Sequence, residues 1–137
     1  MAKKKRETGP LDYESYEISR EALMRDPKSQ EIAPYVTEHN FSNSQAFLRY
    51  IYSQPDKVKG KSLRAEVWIH DSETNLMVKV FSNPDRPNFP GTTIGRLKEV
   101  IANGPSRGLR KAAPVEGMGR IDFYKVWIYE PKPDGTY

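Results

Sequence analysis

The chain has 137 residues, no cysteine, two histidines and a formal net charge of +4. A chain of this length forms one domain that buries roughly two-thirds of its unfolded surface. The lack of cysteine removes disulfides, cysteine-ligated zinc, iron–sulfur clusters and thiol catalysis together. It also fits a reducing compartment, so the cytoplasm is the expected location. No apolar run approaches the roughly 20 residues of a membrane span, and no apolar segment follows the cations of MAKKKRETGP as a signal peptide requires. A membrane is therefore not expected among the partners.

Residues 1–10 read as a basic disordered tail, with Lys3, Lys4, Lys5 and Arg6 and no apolar anchor among them. Residues 11–131 read as a single α+β domain, and residues 132–137 as a flexible C-terminal tail. Asp12 to Ser19 alternates weakly, as a strand does. Ser19 is placed to cap a short helix over Arg20 to Arg25, which must stop before Pro27 because proline disfavours helical geometry in the residue preceding it. Pro34 breaks the polar stretch that follows.

Ser42 and Gln45 fit a capping box, with Phe47, Leu48 and Ile51 on one face of the helix they open. That helix ends at Pro55. The segment DKVKGKS, with lysines at 57, 59 and 61 around Gly60, reads as a solvated connection. Leu63, Ala65, Val67 and Ile69 then alternate with Arg64, Glu66, Trp68 and His70. After the turn-like DSETN, Leu76, Val78 and Val80 alternate with Met77, Lys79 and Phe81, which completes a hairpin.

Three prolines make NPDRPNFPGTT irregular, and Thr92 or Thr93 is placed to cap a helix that buries Ile94, Leu97, Val100 and Ile101. Gly104 and Pro105 end it, and Ser106 is placed to cap a single turn through Arg110. The loop KAAPVEGMGR leads into the last strand, RIDFYKVWIYEP. Its KVWIYE echoes EVWIHD at 66–71, the pattern of two neighbouring strands in one sheet. The expected architecture is thus an antiparallel sheet of three to four strands with two main helices.

In a strand, successive side chains point to opposite faces. One face of this sheet collects Leu63, Val67, Ile69, Leu76, Val78, Val80, Val126 and Ile128 as a core against the helices. The other collects Trp68, Phe81, Ile121, Phe123, Trp127 and Tyr129, interleaved with Arg64, Lys79 and Lys125. Aromatic side chains with cations between them form a platform on which single-strand binders stack bases. If the acidic first third folds over this face, its carboxylates meet those cations instead.

Catalytic motifs are absent. His39 and His70 stand alone in sequence, and His70, beside Asp71, reads as a hydrogen-bonded histidine at a hairpin end. Pro84-Asp85 and Glu130-Pro131-Lys132 only superficially match the nuclease pattern, because a proline interrupts the triplet. No phosphate-binding glycine loop or nucleophile elbow occurs. PGTTIGRLK sets backbone N–H groups, Arg96 and Lys98 near a helix start, which ordinary helix capping already accounts for. No metal and no cofactor are expected.

Charge is the stronger signal, since residues 10–56 carry a net −4 and residues 85–120 a net +4. Arginines on a short glycine-flanked segment reach phosphates in a fork geometry. The expected function is therefore non-catalytic binding of nucleic acid, single-stranded more than duplex. Its contact residues are Arg96, Arg107, Arg110, Lys111 and Arg120 on the basic loop, with Arg64, Lys79, Trp68, Phe123, Lys125 and Trp127 on the aromatic face. The rival is a protein-binding accessory whose aromatic face meets another, acidic, protein surface.

Overall fold

The computed structural model describes Ser15–Glu17 and residues 29–81, 89–112 and 119–137, with Ser15–Glu17 and residues 110–112 described by their backbone. The basic tail at 1–10, the helix expected over Arg20 to Arg25, most of the proline-rich stretch and residues 113–118 of the loop before the last strand lie outside the described residues.

Nine strands are described: β1 (Ser15–Glu17), β2 (Ser29–Ala33), β3 (Val36–Phe41), β4 (Lys57–Val58), β5 (Lys61–Ser62), β6 (Arg64–Asp71), β7 (Leu76–Val80), β8 (Thr92–Thr93) and β9 (Ile121–Tyr129). The helices are α1 (Ser44–Ser53), α2 (Ile94–Val100) and α3 (Pro105–Ala112). The principal sheet runs β1-β7-β6-β9-β3-β2, and β8 adds to β6 beyond the end of β7. Every pairing is antiparallel.

The hairpin forms as expected from β6 and β7, and the two echoed segments are neighbours, with Val67 opposite Val126 and Trp68 opposite Lys125. The weak alternation after Asp12 corresponds to β1, which pairs with β7 at one edge. The sheet is nonetheless wider than the three to four strands expected. The polar segment VTEHNF becomes β3 against β9, and β2 pairs outside it. Every residue of β3 is half-buried, so neither of its faces calls for an apolar set, and its sequence carried no strand signal.

The helices cover one face of this sheet. Val67, Ile69, Val78, Val80, Val126 and Ile128 pack there with Phe47, Ile51, Ile94, Leu97, Ile101 and Leu109, all buried. Leu63 and Leu76, also expected on this face, are buried with them, while Leu48 and Val100 pack against the cluster only partly buried. Phe47 stacks on Tyr124 with ring centroids 4.6 Å apart, which ties α1 to β9.

The cap of α1 is one residue from the expected one, and that of α2 is one of the two expected. Asn43, not Ser42, caps α1, its Oδ1 accepting the Gln45 and Ala46 N–H groups at 2.7 and 3.0 Å. An asparagine in extended backbone performs this as well as serine. Thr93 caps α2 through Arg96 N–H at 3.1 Å. Beyond it, α3 runs through two turns instead of one.

Two corrections concern the second face. A bulge at Asp122, where the register slips between His70 and Asp71, returns Ile121 to the helix-side core while Phe123 stays opposite. Phe81 follows the end of β7 with φ +60° and also packs on the helix-side core.

Residues 132–137 turn back on the domain. Lys132 N–H donates to the Thr136 carbonyl, Gly135 N–H to that of Lys132, and the Tyr137 hydroxyl to the Ser62 carbonyl at 2.6 Å. Among the described residues no helix is long and apolar enough to cross a membrane.

Candidate nucleic-acid interface

The candidate residues fall on two separate surfaces, with Arg120 on neither. On the second face of the sheet, Trp68, Met77 and Phe123 form a small cluster, with Trp68 8 % and Phe123 4 % exposed. A base cannot stack on rings so covered, so these two residues stand as packing and not as a platform.

The lysines of this face are held by carboxylates. Glu66, itself buried, accepts the Trp68 indole N–H at 3.0 Å and the Tyr129 hydroxyl at 3.1 Å, and lies 3.7 Å from Lys79 Nζ. The Lys79 ammonium also stands over the Trp68 ring at 5.8 Å. One strand pair further on, Glu38 accepts the Trp127 indole N–H at 2.8 Å and Asn40 Nδ2 at 3.0 Å, with Lys125 Nζ at 3.9 Å. The same motif thus occurs twice: a carboxylate between an indole and an ammonium on adjacent strands.

Burial opposes ionisation of Glu38, yet the hydrogen bonds from Asn40 and Trp127 and the Lys125 charge outweigh it and hold its carboxyl below the ordinary value. Burial pushes the Tyr129 hydroxyl up, and the neighbouring Glu66 charge adds to that. Each lysine here has a partner, so neither offers an uncompensated charge.

Arg64 serves the fold as well. Its Nε donates to the Pro90 carbonyl at 2.9 Å and its Nη2 to that of Gly91 at 3.3 Å, while the guanidinium lies over the Phe89 and Tyr137 rings at 5.3 and 5.9 Å. It clamps the chain entering β8 and the chain end onto β6.

The second surface lies on the helix layer. Leu109 and Gly108 of α3 are buried, and a Cβ at Gly108 would sit 2.0 Å from the Val100 carbonyl oxygen, so α3 lies hard against α2. Ser106 Oγ meets the Tyr124 hydroxyl at 3.1 Å. Positions 107, 110 and 111 fall together on the stripe of this helix opposite Gly108 and Leu109, since residues three and four apart share a face. Arg107 and, on α2, Arg96 are exposed, and neither forms an ion pair among the described residues. Arg120 is exposed too, but it precedes β9 beside the β6–β7 turn, where its carbonyl accepts Ser72 N–H at 2.9 Å, and it is not on the α3 stripe.

The histidines are both anchored. His70 is buried, its Nδ1 2.5 Å from Asp122 Oδ1 and its Nε2 2.8 Å from Asn75 Oδ1; the carboxylate partner comes from β9 and not from the adjacent Asp71. Asp71 instead accepts the N–H groups of Glu73 and Gly119 at 3.1 and 2.8 Å. His39 touches Ser29, Thr37 and Tyr50, and burial lowers its pKa.

Sequence reasoning named the carboxylates of the acidic first third as counter-charges only as a group, without singling out Glu38, and overlooked Glu66. Glu66 shared its strand face with Trp68 and was legible; Glu38 was not, since its role depends on β3 being a strand. No family model, no curated protein and no solved structure matches the chain.

Proposed function

We propose that this protein binds nucleic acid without catalysis, and that its contact surface is the outer side of the helix layer, led by α3. The observation that carries the reading is the division of the cations. Arg64, Lys79, Lys98 and Lys125 are engaged by protein groups. The basic positions of α3 instead fall on the side away from its packed residues, and Arg96 is exposed on α2. A helix fixed by its small and apolar side carries such charges at constant spacing, which suits a row of phosphates. Since Trp68 and Phe123 are covered and the half-buried Trp127 is tied to Glu38 through its indole N–H, the reading rests on phosphates and not on stacking, and little sequence preference follows.

The test is a titration of a labelled oligonucleotide at several salt concentrations. Changing Arg107, Arg110 and Lys111 together to glutamine should weaken binding and lower the slope of log affinity against log salt. Each phosphate left without its cation should reduce the slope by roughly 0.7 for a single strand or 0.9 for duplex. Equal affinity and slope in the variant would remove α3 from the surface. Failure of the wild type to bind at low salt would sink the reading as a whole.

A further inference from the structure

The segment DKVKGKS is a β-hairpin in its own right. β4 and β5 pair Lys57 with Ser62 and Val58 with Lys61, and the turn between them is two residues, Lys59 and Gly60. Both lie in the left-handed region, with φ +54° and +81°. Such a turn matches the twist of the flanking strands and favours Asn-Gly, because asparagine tolerates this backbone better than lysine does. A lysine held there at the tip is a conformational outlier, and backbone strain of this kind clusters at functional sites.

The base of the hairpin is held and its tip is not. Leu63 N–H donates to the Asp56 carbonyl at 2.9 Å, Val58 packs on the main core, and Tyr137 reaches Ser62. Lys57, Lys59 and Lys61 are all exposed, and none forms an ion pair among the described residues. Alternation and cross-strand pairing place Lys57 and Lys61 on opposite faces of the ribbon, with Lys59 at its end. The anions nearby are Asp56, which is paired with Lys98 at 3.0 Å, and Asp134 on the C-terminal turn, whose Gly135 lies beside the Lys61 side chain. Asp56 also borders Gly95, next to Arg96 on α2, so the hairpin adjoins the helix layer.

We infer that this lysine hairpin is a second phosphate-contacting element, a basic finger that grips the sugar–phosphate backbone of the nucleic acid bound by the helix layer. The inference rests on the proposed nucleic-acid binding by that layer. Lys57 stands on the face away from Val58, Lys59 at the tip, and Lys61 is exposed at the edge of the core-facing side, so a phosphate chain passing the outer face or the end of the hairpin meets a cation. The α3 stripe faces one side only.

Two variants test it in the full chain, with a labelled 20-nucleotide single strand as probe over a salt series. Lys57, Lys59 and Lys61 together changed to glutamine should lower the salt slope by roughly 0.7 for each phosphate released. Lys59→Asn removes the tip charge while fitting the backbone, so it should bind more weakly yet unfold at the same or a higher temperature. Wild-type slope and affinity in both variants, while the α3 variant binds poorly, would overturn the finger and leave the helix reading standing. No binding by the wild type would overturn both. Retention of the protein on polyglutamate without any oligonucleotide binding would reassign the hairpin to an acidic protein surface and overturn it as a nucleic-acid finger.

Discussion

Gly91 approaches the neighbouring backbone more closely than any side chain would permit. Its φ is +57°, and a Cβ there would stand 1.9 Å from the Ala65 carbonyl oxygen, inside the backbone of β6. The Arg64 guanidinium donates to the Gly91 carbonyl from the same strand, so one glycine and one arginine fix the chain as it enters β8. Gly60 has a positive φ as well, but open space around it. Gly91→Ala should therefore cost on the order of 2–3 kcal/mol, from the strained backbone and the displaced chain together. Urea unfolding with an unchanged m-value would measure it, and a midpoint equal to wild type would show that this approach is not required.

His39 joins three elements. Its Nδ1 lies 2.7 Å from Ser29 Oγ of β2, and its Nε2 2.8 Å from the Tyr50 hydroxyl of α1 and 2.9 Å from Thr37 Oγ1 of β3. Its ring packs on Tyr50 at 4.4 Å. Burial lowers the folded pKa of His39 below its ordinary value of 6.5, with the Glu38 charge opposing. The unfolded chain then binds the proton more readily than the folded one. The contribution of His39 is complete above the unfolded value and is lost as the pH falls from there toward the folded pKa. Glu38, whose folded pKa is also lowered, loses its contribution at lower pH, as its carboxylate protonates. Urea midpoints of wild type should fall between about pH 7 and about pH 5.5, and His39→Asn should flatten that fall. Parallel pH profiles would remove His39 as the cause.

Across the elements of the whole molecule, stability is graded through the sheet. β6 and β9 lie at its centre, and Val126 is fully buried between strands on both sides. β2 lies at an edge with every residue exposed and a bulge between Glu31 and Ala33. A charge and a bulge on an edge discourage pairing with other chains. Val126→Ala should cost about 1–4 kcal/mol through the cavity left behind, whereas Gln30→Ala should stay within about 0.5 kcal/mol of wild type. Thermal or urea unfolding of the two variants compares them directly. Similar losses would mean that β2 contributes as much as the centre.

The sequence alone determined what depends on short-range pattern. The period of two in residues 63–80 specified the hairpin, the stripe at Ile94, Leu97 and Ile101 specified the buried side of α2, and the repeated Val-Trp-Ile segments specified neighbouring strands. The inventory of cations was equally plain. Only the tertiary structure decided which of those cations are engaged within the fold. Lys125 meets Glu38, far away in the chain, because β3, a strand with no apolar alternation, pairs with β9. The residues of such a polar strand act through the partners they find, so its register, and with it the fate of Lys125 and Trp127, was invisible to pattern. The bulge that turns Ile121 toward the helices is likewise a property of two strands together, set where His70 of one meets Asp122 of the other.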